Sequence, residues 1–111
     1  MDMDKVARVI AICRDYERER GEIEMVFNVL MDQLDKKYFG RYIAAIKAGW
    51  NDGNVEWIDV LGTEHKEKYT DKTRKGQEIK EVFQLAQKTE FLGNEIERMK
   101  KWLKDQGVNH I

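Results

Sequence analysis

Apolar residues recur at intervals of three and four along residues 3–38. Val6, Val9, Cys13, Tyr16, Ile23, Phe27, Leu30 and Leu34 fall in one register, and Arg20 is its only polar member. That period belongs to an amphipathic helix packed against another helix. At 1.5 Å per residue, about 36 residues make a helix of roughly 54 Å, longer than a compact domain of this size is wide. Either the helix breaks at Arg20-Gly21, or it is a rod with a partner along its length. Residues 14–20 are charged almost all round, which predicts a joint in a monomer and a solvated stretch in an oligomer.

A second stripe runs over residues 77–106. Val82, Leu85, Thr89, Leu92, Ile96, Met99 and Leu103 repeat without a slip, and Ile79, Phe83 and Ala86 widen the N-terminal end. Thr89 and Gly93 interrupt the apolar seam at mid-helix. A glycine inside a helix costs roughly 1 kcal/mol against alanine, so a close neighbour is expected at Gly93. Lys100, Lys101 and Lys104 suit the C-terminal end of the helix dipole, and Gly107 suits a left-handed cap.

Between the stripes the pattern is weaker. Tyr38, Phe39, Tyr42, Ile43, Ile46 and Trp50 make a helical face dense in aromatics, and Asn51-Asp52-Gly53-Asn54 signals a turn. Val55, Trp57, Ile58, Val60 and Leu61 then suit a short helix capped by Asn54, or a strand pairing back across Asp52-Gly53. The helical neighbours favour helix. Residues 66–76 hold no aliphatic side chain and read as a loop. The expected fold is therefore all-α: one helical domain over 1–111, with two long terminal helices packed on one or two shorter central ones.

Composition narrows the function classes. The 111 residues carry 20 basic and 21 acidic side chains, with 37% charged and 41% hydrophobic. This is too apolar for a disordered tail and too balanced for a strongly basic nucleic-acid binder. Proline is absent, as is serine, and Cys13 is the single cysteine. The longest apolar run, residues 9–13, falls far short of the roughly 20 residues that span a bilayer. The N-terminus is polar and acidic, unlike a signal peptide, and a cytoplasmic location is expected.

Chemistry is sparse. Beyond carboxylates, Cys13, His65 and His110 are the only metal-ligating side chains, and no two have ligand spacing, so no metal centre or cofactor is expected. Without serine there is no serine nucleophile, and no phosphate-cradling glycine loop occurs. Glu56-Trp57-Ile58-Asp59 looks like one half of the paired-carboxylate motif of all-α nucleoside-triphosphate pyrophosphohydrolases. On a helix, carboxylates three apart share a face where Mg²⁺ can bridge them and a triphosphate. Asp32/Asp35 and Glu19/Glu22 are the upstream candidates, but neither is the glutamate pair of that family. Pairs at this spacing also arise by chance among 21 acidic residues, and a solvated helix accounts for Glu56 and Asp59 more simply.

Lys66, Lys68, Lys72, Arg74 and Lys75, with Tyr69 among them, form a local basic excess. Such a segment can contact phosphates and stack a base, giving weak nucleic-acid binding. Glu64, Glu67 and Asp71 interrupt it, and a solvated loop is the simpler account. Trp50 and Trp57 flank the turn, where an exposed one would anchor an interface.

The reading is a non-catalytic helical interaction or regulatory module. The two stripes exceed what a small monomer needs, so a homo-oligomer is expected, in the first place a dimer, with another protein as a further partner. Its interface would use Val6, Val9, Ile23, Phe27, Leu30, Leu34, Leu85, Leu92, Ile96 and Met99.

Overall fold

The computed structural model describes residues 2–109. Two helices of 32 residues each, α1 (Met3–Leu34) and α2 (Arg74–Asp105), enclose three strands in sequence: β1 (Ile43–Asn51), β2 (Asn54–Asp59) and β3 (Glu64–Lys68). The fold is α+β, which corrects the all-α expectation. The strands form one antiparallel sheet in the order β1-β2-β3.

Each helix ends as its sequence dictates. The Asp2 carboxylate caps α1 by accepting from the backbone N–H of Asp4 and Lys5 at 3.1 and 3.2 Å. The α1 helix is continuous through Arg20-Gly21, then widens into a π-helical turn at Asp35–Phe39. Gly40 and Arg41, both left-handed with φ of 64° and 65°, end that turn. Asp35 Oδ1 then accepts from the N–H groups of Tyr42 and Ile43, which turns the chain into β1. Thr73 caps α2 through Gly76 N–H at 3.1 Å. At its other end Gly107 (φ 85°) closes the paired Schellman bonds, Val108 N to Leu103 O at 2.9 Å and Gly107 N to Lys104 O at 3.0 Å.

The centre of the chain is sheet because its turn chemistry is that of a hairpin. Asp52 (φ 49°) and Gly53 (φ 89°) are both left-handed, which a two-residue loop between right-twisted strands requires. In β2, Val55, Trp57 and Asp59 are buried and alternate with the half-buried Glu56 and Ile58. β3 follows the same alternation without an aliphatic residue, its inward positions being His65 and Glu67. Thus Lys66 and Lys68, expected in a loop, lie on an edge strand.

The two stripes meet each other. α1 and α2 pack antiparallel, with Lys88–Glu19 and Lys100–Glu17 bridging them at 3.1 and 2.6 Å and Lys37–Glu78 tying the π-helical turn to α2 at 3.1 Å. These exposed pairs each contribute little energy but agree on one register. Away from the sheet, the buried side chains are Val6, Cys13, Leu92, Ile96 and Leu103. Nearer the sheet, Leu34, Val55, Trp57, Ile79, Val82 and Phe83 form the main core, with Phe27, Leu30, Ile43 and Ile46 packed against it. The molecule measures 52 × 28 × 23 Å, so its long axis is the length of one helix. The partner that α1 needs along its length is α2 of the same chain.

Arg20, the polar member of the first stripe, and Gly93, the gap in the second, answer each other. A Cβ at Gly93 would lie 3.1 Å from the Arg20 guanidinium carbon. The missing side chain makes room for the long one.

Candidate functional site

The residues expected at a subunit interface are largely consumed inside the chain. Val6, Leu34, Leu92 and Ile96 are buried, and Val9, Ile23, Phe27, Leu30, Leu85 and Met99 are half-buried. They are seam residues, as the spacing required, but the seam is intramolecular. The long stripes therefore do not by themselves call for a second subunit.

What the seam leaves open lies on the other side of α1. From Ile23 to Met31 the helix is apolar nearly all round, with Glu24 and Asn28 the only polar residues. Phe27 and Leu30 turn to the core, whereas Met25, Val26 and Val29 are 73%, 51% and 57% exposed. At 3.6 residues per turn these three occupy about 100° of the helix circumference. A helix apolar on all sides is normally covered on all sides. Counting only the best register hid this band, although its residues were in plain view in the sequence.

The expected chemical constellations separate. In a strand, residues three apart point to opposite faces, so Glu56 and Asp59 do not converge. Glu56 pairs with Lys66 at 3.4 Å on the outer face, while Asp59 is turned inward and only 2% exposed. Among the described residues no group of three or more His, Cys, Asp or Glu side chains could hold a metal ion; His110 lies outside them. Several of the basic residues are engaged within the chain. Lys66 and Lys68 lie on β3, Arg74 pairs with Glu78 at 3.2 Å, and Lys75 sits over the rings of Tyr38 and Tyr69 at 5.5 and 5.7 Å. Trp57 is buried and Trp50 half-buried, so neither projects as an anchor.

The structure does gather one polar cluster that spacing did not reveal. Asp59 Oδ2 lies 2.7 Å from His65 Nε2, and Asp59 Oδ1 accepts from Leu61 N and Thr63 N at 2.8 and 3.0 Å. His65 stacks on Trp57 with ring centroids 4.0 Å apart, and Phe39 meets the same indole edge-on at 5.3 Å. The single cysteine, Cys13, is buried in the helix seam, where burial, then Glu17, push its thiol upward. The cluster locks the β2–β3 hairpin and seals the core.

Burial alone would raise the Asp59 pKa, but the hydrogen bonds from His65, Thr63 and Leu61 outweigh it and hold the carboxyl below its ordinary 3.8. Lys47 lowers Glu64, Lys80 lowers Asp71, and Lys37 lowers Glu78 in the same sense. A carboxylate with a depressed folded pKa contributes stability that is complete above its unfolded value and lost as pH falls through the folded one. The melting temperature should therefore be flat near neutrality and fall below about pH 4.5. Asp59→Asn should flatten that fall and lower the neutral melting temperature. An acid limb unchanged in Asp59→Asn would contradict the assignment.

No helix of the described residues is long and apolar enough to cross a membrane. Compared with models of known protein families, with curated proteins and with solved structures, the chain matches none.

Proposed function

We propose that the protein is a non-catalytic interaction module that acts as a homo-oligomer through the open face of α1. The observation that carries the reading is the exposed band Met25, Val26 and Val29, flanked by the half-buried Ile23 and Leu30. A contiguous apolar patch is a mark of an association surface. A single band of this kind can match its own copy about a two-fold axis, which supports a second chain as its occupant. The separation of Glu56 from Asp59 and the engagement of Lys66, Arg74 and Lys75 within the chain support an interaction role over a catalytic or nucleic-acid one. The test is the native mass of the wild type beside the double variant Val26→Lys, Val29→Lys. Both sites are exposed on the single chain, so the variant should keep its helical circular dichroism while its mass falls to that of one chain and its melting temperature loses the concentration dependence that association gives the wild type.

A further inference from the structure

The three irregularities of the helical stripes, Arg20, Thr89 and Gly93, are brought together at mid-molecule, and a cleft opens there. Its volume is about 370 Å³, and Arg20 and Phe27 of α1, Ile46 and Gly49 of β1, and Gln87 and Thr89 of α2 line it. That volume lies within the range of small-molecule sites. Gly49 helps to form it by omission. A Cβ there would lie 2.7 Å from Gln87 Cβ and 2.8 Å from Phe83 O, so the strand backbone rides directly on the helix. The β1 register shifts between Ile46 and Ala48 and again before Asn51, and such bulges often stand beside binding sites.

The lining has an apolar floor of Phe27, Ile46 and Ala86 and a polar side of Arg20, Gln87 and Thr89, with Glu90 and Lys47 also lining it. Lys47 turns its ammonium to Glu64 on the sheet and is already paired. Arg20 is ion-paired with Glu24 one turn along the same helix, and both side chains are partly exposed. The Arg20 Nε is buried without a hydrogen-bond partner: Glu24 Oε1 stands 3.2 Å away but out of line for a bond. The guanidinium is held against the bare backbone at Gly93. A planar guanidinium presents paired donors matched to a carboxylate. Glu90 on the lining opposes a dianion.

We infer that this cleft binds a small organic monocarboxylate, its carboxylate on Arg20 and its apolar body on Phe27, Ile46 and Ala86. Sites where a sequence breaks its own pattern are often functional, and here three breaks from two helices converge with a bulged strand.

Benzoate is the probe, followed by amide chemical shifts in the full chain, with benzamide, acetate and inorganic phosphate as controls. Benzoate should shift Gly49, Gln87 and Thr89 with a Kd of about 1–10 mM, as a fragment of its size allows. Benzamide lacks the charge, acetate lacks the body and phosphate carries the wrong charge, so each should bind at least about tenfold more weakly. Arg20→Gln should remove benzoate binding, and Arg20→Lys, which keeps the charge but loses the fork, should weaken it. The spectrum of each variant reports whether it folds. Absence of benzoate binding to the wild type, equal binding of benzamide, or undiminished binding to a folded Arg20→Gln would each overturn the assignment.

Discussion

Gly76→Ala should destabilise the protein by roughly 2–4 kcal/mol, combining the cost of overpacking with damage to a helix cap. Gly76 lies in the first turn of α2, and a Cβ there would fall 1.6 Å from the carbonyl oxygen of Thr70. That oxygen belongs to backbone and cannot swing aside like the end of a flexible side chain. Relief requires moving the turn that connects β3 to α2, and with it the Thr73 cap, whose hydroxyl accepts from Gly76 N–H. Gly21→Ala supplies the contrast. Gly21 sits mid-helix, and a Cβ there would meet nothing within 4 Å, so alanine should stabilise by about 0.5–1 kcal/mol. Urea denaturation of both variants checks the pair. A small loss at Gly76 would mean that Thr70 does not pack there, and a loss at Gly21 would mean that α1 bends.

Phe83→Ala should cost about 3–5 kcal/mol, the range for emptying a fully buried aromatic site. Phe83 has no exposed surface and belongs to the core shared by α1, α2 and the sheet. Its neighbour in type, Phe91, is two turns further along the same helix and 56% exposed. Phe91→Ala should stay within about 0.5 kcal/mol of the wild type, as surface substitutions usually do. Helix propensity changes identically in both variants, so the difference measures burial against the sheet. Equal effects would place α2 in a different orientation from the one described.

That orientation was readable for the helices. The spacing of Val82, Leu92, Ile96 and Leu103 fixed the inward face of α2, and all four are buried. Gly107 was also readable as a cap, because only a residue tolerant of positive φ closes a Schellman turn cheaply. What the stripes could not say is which helix they face. A stripe long enough for a second subunit is equally satisfied by an antiparallel helix of the same length in the same chain.

The sheet was hidden for two separate reasons. In β1, Ile43 and Ile46 both pack against the core although they are three residues apart. Clean alternation would put them on opposite faces, and the register shift between Ile43 and Ala45 brings them to one side. The bulge thus imitates a helical interval. In β3, the inward positions are His65 and Glu67, so no apolar alternation exists to be counted. Asp52-Gly53 was the one local signal that pointed to strands, and left-handed backbone at both residues is what made that pair necessary.

The polar cluster shares this origin. Asp59 and His65 are six residues apart on different strands, and only the hairpin between β2 and β3 brings them to 2.7 Å. The reading of Glu56 with Asp59 assumed helix geometry, and it dissolves when the same spacing is laid on a strand. The α1 band, by contrast, needed no structure to be suspected, only the observation that residues 23–31 are apolar on more sides than one neighbour can cover.

The most direct test of the central claim is the native mass of the wild type by size exclusion with light scattering, measured beside Val26→Lys, Val29→Lys. A chain of 13.2 kDa that associates through the open face of α1 about a two-fold axis should run as a dimer, and the double variant as a single folded chain. A wild type that is monomeric at every concentration, or a double variant that keeps the wild-type mass, would contradict it.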